Sequence, residues 1–299
     1  IGVTSWRSIF LVNLPICVIA VLLTLKCEET PRPPARRGFD VVGQLLGIVA
    51  LSAIIGTVIE AKPLGFENPL VWSCALIGLA AAFAFVHWEA RTQAPMLPLS
   101  LFKSRIFCGA VSFGSLANFT YYGAVFVLSI YLQRVLGYTP VVAGLAFLPL
   151  TATFLVVNII SGWWVGRVGS RAPMMIGALI DAVGFSLLTL VATAATPYWQ
   201  LAIAFVMIPG GMGLGVPAMT TAVLANVQRE RSGIAAAVLN AARQAAGAMG
   251  VALFGALAGD EPSHVVVGLK TSTTIAVVLL VVAAAIAATT ITRKKISNI

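Results

Sequence analysis

Arg243 is the residue whose setting most strongly suggests chemistry. It lies in the middle of the apolar stretch 238–259, which reads VLNAARQAAGAMGVALFGALAG and is long enough to cross a bilayer. A charged side chain at the bilayer centre costs about 2.5–3.5 kcal/mol on insertion scales, so Arg243 must face protein or water. Helical spacing predicts that it shares its face with Asn240, Gln244, Gly247 and Phe254. This polar patch is predicted either to line a cavity, where it binds an anion, a carboxylate partner or a substrate dipole, or to join two helices as a buried structural pair.

Asp181 is the only carboxylate deep within a predicted span, in the segment GALIDAVGFSLL. Gly177 and Gly184 lie on its helix face, which predicts close packing against another helix. The sequence leaves three roles open. Asp181 is a proton carrier if burial keeps it neutral, a charged partner if it pairs with Arg243, and a structural residue if it bonds a neighbouring helix.

One predicted span carries three candidates for a cavity lining, which are Asn118, Tyr121 and Tyr122. Aromatic faces attract lipophilic cations through cation–π contacts, so a lining of this kind is predicted to bind them. Ordinary core packing is the alternative use of each tyrosine.

The segment 162–171 (GWWVGRVGSR) is predicted to be a tight cytoplasmic turn between two spans. It contains Gly162, Arg167, Gly169 and Arg171. Arginines in such a turn bond the carbonyl groups at helix C-termini or acids on neighbouring helices, which predicts a gate latch. The alternative is that their positive charge serves only to set the membrane topology.

The composition indicates which elements must position these residues. The chain of 299 residues is 59% hydrophobic and 10% charged, with a mean hydropathy of +0.98. Its apolar runs do not alternate with polar residues as those of a β-barrel would, so the sequence predicts an all-α polytopic membrane protein. The net charge of +9 is assigned to orientation in the membrane and not to nucleic acid. The four cysteines lie in or beside apolar runs, without the spacing of a metal or disulfide set.

Nine apolar segments are predicted to span the membrane: 8–26, 40–60, 69–88, 107–130, 140–161, 173–194, 199–222, 233–258 and 271–292. Fourteen of the 19 basic residues lie in alternate connections and four in the opposite ones. The positive-inside rule then places the N-terminus outside and the C-terminus in the cytoplasm. Because the chain begins with Ile1 on the outside and without a signal peptide, an odd number of further spans is expected before it.

Four passages carry a recognisable pattern: SWRSIFLVNLPI (5–16), YLQRVLGYTPVVAGLAFLP (131–149), GWWVGRVGSR (162–171) and NAARQAAGAMG (240–250). As a set they resemble the fourteen-span drug:proton antiporters of the major facilitator superfamily. Asn240, Arg243 and Gln244 match the pattern of that branch, whereas Gly166 stands where it has an Asp.

The resemblance implies a major-facilitator-type helix bundle with three parts. It assigns 1–38 to the last span of an N-terminal bundle plus a cytoplasmic loop, 39–106 to two inserted linker spans, and 107–299 to the C-terminal six-helix bundle. The remaining five spans of the N-terminal bundle are expected in the same chain, upstream of this sequence. The span with Asp181 is expected at the periphery, and the span with Arg243 beside the cavity.

The activity that the resemblance implies is proton-coupled efflux of hydrophobic or cationic drug-like compounds across the cell membrane. The pathway residues would be Arg243, Asn240, Gln244, Asp181, Asn118, Tyr121 and Tyr122, with 162–171 as the gate. The partners would be the substrate, protons and the bilayer, and no cofactor is expected because the proton gradient supplies the energy. The alternatives are export of an endogenous metabolite, lipid or siderophore, and a truncated remnant without transport. A membrane enzyme is disfavoured, because neither histidine lies near a second catalytic candidate except His87 with Glu89.

Overall fold

The computed structural model describes residues 11, 13–26, 40–92, 95–259 and 261–292. The chain forms two compact units, 1–38 and 39–299. The described residues of the first unit form one apolar helix, α1 (Asn13–Thr24). The predicted span 8–26 and the passage 5–16 extend from this helix into residues outside the described part.

The second unit is helical, and no strand occurs among its described residues. Its helices are α2 (Val41–Leu64), α3 (Pro69–Arg91), α4 (Arg105–Ile130), α5 (Pro140–Ala146), α6 (Leu148–Val168), α7 (Arg171–Val191), α8 (Tyr198–Ala225), α9 (Ser232–Ala258) and α10 (Pro262–Thr290). Two short 3₁₀ helices, Leu99–Lys103 and Arg229–Arg231, and one π-helical turn, Tyr131–Val135, complete the connections.

Within the described residues, eight helical segments are long and apolar enough to cross a membrane. They correspond to the eight predicted segments after the first, so the all-α polytopic fold class is confirmed. The predicted start of the last span, residue 271, was wrong, because α10 already begins at Pro262. Proline at the first helical position starts the helix there, and the hydroxyl of Thr273 is accommodated by donating to Leu269 O at 2.9 Å. The side of the membrane on which each terminus lies stays a prediction.

Capping side chains fix where several of the helices begin. Asp40 accepts a hydrogen bond from Gly43 N at 2.8 Å at the start of α2, and Asn68 accepts one from Leu70 N at 2.9 Å at the start of α3. Thr139 caps α5 in the same way, and prolines follow directly after Asn68 and Thr139. These are the residue types that satisfy free backbone N–H groups at a helix N-terminus, which matters most where water is scarce.

Helix α8 is the centre of the bundle. It packs against α4, α6 and α7, while α10 packs against α4 and α7, and α9 packs mainly against α4. In an apolar stretch of 18 residues of α8, 61% of the stretch is buried inside the protein, compared with 11% of the corresponding stretch of α2. Helices α2 and α3 form a hairpin that touches the rest of the unit where α2 meets α9. The bundle therefore has an ordered interior around α8 and a hairpin whose apolar sides remain largely exposed.

Glycines set the closest contacts between these helices. A Cβ at Gly177 of α7 would lie 2.5 Å from Gly211 O of α8, and a Cβ at Gly123 of α4 would lie 2.7 Å from Gly250 O of α9. Backbone atoms cannot move aside as flexible side chains do, so both helix pairs need glycine at these crossings. The close packing predicted for the Asp181 face, through Gly177, is confirmed.

Four pairs of glycines spaced four residues apart have different surroundings. Gly43 and Gly47 face α3, and Gly211 and Gly215 face α7 and α4, so these pairs serve helix packing. Gly255 faces Phe126, whereas Gly259 ends α9 with φ of 69°. The pair in α6 does not pack in this way: a Cβ at either Gly162 or Gly166 would meet no atom of the described chain within 4 Å.

We expect Gly250→Leu to destabilise the protein, because a Cβ at this position collides with the Phe119 carbonyl oxygen and lies 2.8 Å from Phe119 C. Overpacking of this kind costs about 1–3 kcal/mol or more, and the measurement is the apparent unfolding temperature in detergent. Gly56→Leu is the matched control, because a Cβ at Gly56 meets no atom within 4 Å. Equal unfolding temperatures for the two variants would contradict the glycine-limited crossing of α4 and α9.

Candidate functional site

Arg243 lies near the middle of α9 with its side chain half-buried. The aliphatic part of the side chain passes over Gly114 of α4, where a Cβ would lie 3.2 Å from Arg243 Cγ and 3.3 Å from Arg243 Cδ. The same Cβ would lie 2.8 Å from Met219 Sδ of α8. A slot between α4 and α8 therefore holds the stem of the arginine, and glycine at position 114 keeps that slot open.

The Asp181–Arg243 ion pair, one of the three roles left open for Asp181, is not formed. Asp181 Oδ1 and Arg243 Nε are both buried without a hydrogen-bond partner among the described residues. Asp181 points into a crevice that Met219 helps to line, and the stem of Arg243 lies beside Met219 and Gly114. Packing between α4 and α8 thus gives the two charged side chains separate surroundings.

The face of α9 that carries Arg243 is open at one end and packed at the other. Asn240 and Gln244 are exposed, while Gly247 and Phe254 are buried. A Cβ at Gly247 would lie 3.0 Å from Tyr122 Cδ2. The predicted common face exists, but only its first half, next to Arg243, borders space that the described chain leaves unfilled.

Three aromatic side chains stand beside this open half. Tyr121 and Tyr122 of α4 make an edge-to-face contact with ring centroids 5.5 Å apart, and Tyr121 lies 6.3 Å from the ring of Phe154 on α6. Tyr122 is 44% exposed and lies within electrostatic range of Arg243. The two tyrosines predicted to line a cavity therefore lie together, next to the arginine.

Asn118 belongs to the interior of the bundle. It is 1% exposed, and its Nδ2 donates a hydrogen bond to Gly114 O, one turn earlier in α4, at 2.8 Å. The side chain is thus tied to the turn over which Arg243 passes. Its predicted place on the pathway stays a prediction.

Asp181 is 1% exposed and faces inward from α7. The crevice before it is too narrow to hold a water molecule and is lined by residues of α4, α8 and α10, among them Phe113, Gly211 and Leu280. An ionised carboxylate without a partner is costly in such surroundings, whereas a neutral carboxyl group is tolerated. The resemblance predicts a peripheral span here, but the Asp181 side chain points into the interior.

The segment predicted to be a cytoplasmic turn is mostly helix, which corrects the boundary. Helix α6 continues to Val168, so Gly162 and Arg167 are helical, and the turn consists of Gly169, with φ of 82°, and Ser170. The guanidinium of Arg167 stacks on the Trp163 ring at 3.6 Å. Residues four apart meet on one face of a helix, so this contact favours the helical conformation of the segment.

Arg171 begins α7, directly after this short turn. Its Nε is buried and has no hydrogen-bond partner among the described residues. Neither Arg167 nor Arg171 reaches an acid in the described chain. Their role as a gate latch therefore stays a prediction.

Sequence reasoning missed the residues that shape the site without being polar. Gly114, Phe154, Gly211 and Met219 form the slot, the third ring and the crevice floor, yet each looks like an ordinary component of an apolar helix. Of these, only Gly114 could have been found from the sequence, because it lies one turn before the candidate Asn118 on the same helix face.

A protein-family model described as Major Facilitator Superfamily matches residues 1–251. The chain belongs to this superfamily. The interpretation of the sequence as a membrane transporter and not an enzyme is thereby confirmed, and so is its multi-pass membrane location.

Several curated relatives match most of the chain. A methylenomycin A resistance protein of Streptomyces coelicolor is 36% identical over 84% of this chain and 52% of its own length. The multidrug resistance protein Stp of Mycobacterium tuberculosis is 34% identical over 85% of this chain and 47% of its own length. A tetracenomycin C resistance and export protein of Streptomyces glaucescens is 28% identical over 85% of this chain and 47% of its own length. The chain spans about half the length of the curated relatives it matches.

We expect Asp181→Asn to preserve or raise the apparent unfolding temperature, because it replaces an unpartnered buried acid by a neutral isostere. Ser161→Ala is the contrasting variant, since Ser161 is also fully buried but donates to Leu214 O at 2.8 Å. Losing that bond should lower stability by about 1 kcal/mol. A larger loss for Asp181→Asn than for Ser161→Ala would show that Asp181 has a structural partner.

Proposed function

We propose that the complete protein exports hydrophobic, often cationic, small molecules across the cell membrane in exchange for protons. Its relatives are named for resistance to different antibiotics or to multiple drugs, and one is also named for export. This range favours a cavity that selects by apolarity and shape over one that reads a single pattern of hydrogen bonds. Proton exchange is the part of the proposal that depends on the charged residues within the spans.

The observation that carries the proposal is the half-buried Arg243 on the open part of α9. Asn240 and Gln244 lie exposed beside it, and no described acid neutralises it. A guanidinium at this depth needs water, an anion or a dipole in front of it. We assign this face to one wall of a central cavity, with 107–299 as the C-terminal bundle and an N-terminal bundle of the same chain as the opposite wall.

Substrate binding in this cavity would use the aromatic group next to Arg243. The rings of Tyr121, Tyr122 and Phe154 offer flat apolar surfaces to a planar compound and π-faces to a cationic one. Arg243 would hold a carboxylate of the opposite wall or a dipole of the substrate. The guanidinium thus fixes the charge pattern of the cavity, and the tyrosines provide contact area.

Asp181 is the proton carrier that we propose within this bundle. Its Oδ1 has no hydrogen-bond partner among the described residues, and the side chain lies at the crossing of α7 with α8. A proton that arrives or leaves there changes the charge of the most buried part of the bundle, which biases the packing of α8. The short turn at Gly169, with Arg167 and Arg171 on either side, is the proposed gate at the membrane surface.

For the complete protein, we expect Arg243→Ala to abolish proton-driven efflux while leaving membrane insertion intact. The measurement is export of a fluorescent lipophilic cation such as ethidium from inverted vesicles or cells, with the protein level checked by immunoblot. Arg229→Ala is the matched control, because Arg229 is exposed and lies between the spans. Normal efflux by Arg243→Ala would reduce Arg243 to a structural residue.

We expect residues 1–299 alone, reconstituted in proteoliposomes, to give no proton-dependent efflux, because one wall of the cavity is then absent. The complete protein under the same proton gradient is the positive control. Robust efflux by 1–299 alone would overturn the two-wall arrangement. Absence of efflux from the complete protein as well would favour the alternative of a protein without transport.

A further inference from the structure

A second buried acidic site lies at the end of the α2–α3 hairpin, on helices that the proposed pathway does not use. Asp40 immediately precedes α2, and Glu89 belongs to the last turn of α3. Glu89 is 3% exposed, which is unusual for a glutamate. A buried acid of this kind needs a partner that removes or balances its charge.

Three N–H groups donate hydrogen bonds to one oxygen of each carboxyl group. Asp40 Oδ1 accepts hydrogen bonds from Gly43 N at 2.8 Å and from Trp88 Nε1 at 2.9 Å. Glu89 Oε2 accepts one from Leu97 N at 3.0 Å. The group thus joins the start of α2, the end of α3 and the chain that leads into α4.

The two remaining oxygens lie near Gly43, and the backbone N–H of Met96 is close to both acids without forming a hydrogen bond to either of these oxygens. Asp40 Oδ2 and Glu89 Oε1 are both buried and unpartnered. A Cβ at Gly43 would lie 2.5 Å from the first and 2.8 Å from the second, so their separation cannot exceed the sum of these distances. The side chains are within hydrogen-bonding reach of each other, but as carboxylates both oxygens only accept.

No described cation compensates this pair. Asp40 is the charged group among the main influences on Glu89. The basic or titratable groups on the described elements around the pair form no ion pair with either acid: His87 and Arg91 on α3, Lys103 in the following 3₁₀ helix, and Arg243 on α9, which packs against α2. Two facing carboxylates would therefore repel each other without relief.

We propose that Glu89 is a neutral carboxylic acid that donates its proton to the Asp40 carboxylate, and that this shared proton fastens the end of the inserted hairpin to the chain entering α4. One proton supplies the missing donor and satisfies both buried oxygens with a short charge-assisted hydrogen bond. Asp40 is the anionic member, because the N–H groups of Gly43 and Trp88 hold the pKa of that carboxyl below its usual value.

The direction of the pH effect follows from this arrangement. At low and neutral pH the proton is present and the contact is closed. As the pH rises and the proton leaves, two carboxylates face each other at Gly43, and the contact at Leu97 loosens. The site is thus a pH-sensitive latch that holds the two helices of the hairpin to each other and to the segment leading into α4, separate from the proton carrier proposed at Asp181.

The test compares the whole chain with its Glu89→Gln variant by hydrogen exchange in lipid nanodiscs. Glutamine keeps an acceptor for Leu97 N and permanently carries the donor that the proton provides. After correction for intrinsic exchange, protection of peptides covering Gly43 and Leu97 should fall about tenfold in the wild type between about pH 6 and about pH 9, and stay constant in Glu89→Gln. Glu60→Gln, at the exposed far end of α2, should behave as the wild type does.

Infrared spectroscopy gives a second, independent readout. The spectrum of the wild type minus that of Glu89→Gln, in which the contribution of Asp181 cancels, should show the C=O band of a protonated carboxylic acid that disappears as the pH rises. The same pH dependence of exchange in both proteins would overturn the proposal. A second result would also overturn it: Glu89→Gln loses protection at every pH, and Arg36→Gln or Arg37→Gln shows the same loss. Glu89 would then be an ionised partner of an arginine. A loss of wild-type protection on adding EDTA would assign the site to a metal ion instead and would equally overturn it.

Discussion

Close approach of helix backbones is the constraint on which the rest of this structure depends. Lipid tails are as apolar as leucine, so the hydrophobic effect does not drive helices together inside a bilayer, and van der Waals contact must do so. Helix α8 meets this constraint on three sides. Gly211 faces α7, Gly213 lies against Val157 of α6, and Gly215 lies against Phe113 of α4. The glycine-rich sequence of α8 is therefore a consequence of its central position, and the helix continues through both of its prolines without a break.

The chemistry of the candidate site depends on the same contacts. The stem of Arg243 fits between α4 and α8 because position 114 has no side chain, and Asp181 is buried because α7 and α8 meet at Gly211. Charges at these depths are expensive, and rigid packing prevents them from relaxing towards each other or towards water. Helix packing thus keeps an arginine and a carboxyl group close to one methionine, Met219, without letting them neutralise each other.

The burial of the helices is uneven. Helix α8 is surrounded, whereas the polar end of α9 around Arg243 and the apolar sides of α2 and α3 are open. The open polar face suits contact with water, substrate and a second bundle, and the open apolar sides suit lipid. The proposed latch at Asp40 and Glu89 would hold the exposed hairpin to the segment leading into α4.

The sequence by itself determined the fold class, the approximate spans and the position of Arg243, because hydropathy over about 20 residues and a single mid-span charge depend only on local composition. The sequence could not place partners between helices, since contacts such as Arg243 with Gly114 join residues that are distant along the chain. The tertiary structure alone decided that Asp181 has no ionic partner, that the segment before Gly169 stays helical, and that Glu89 meets Asp40. In each case the deciding factor is which backbone approaches which, and apolar periodicity does not encode it.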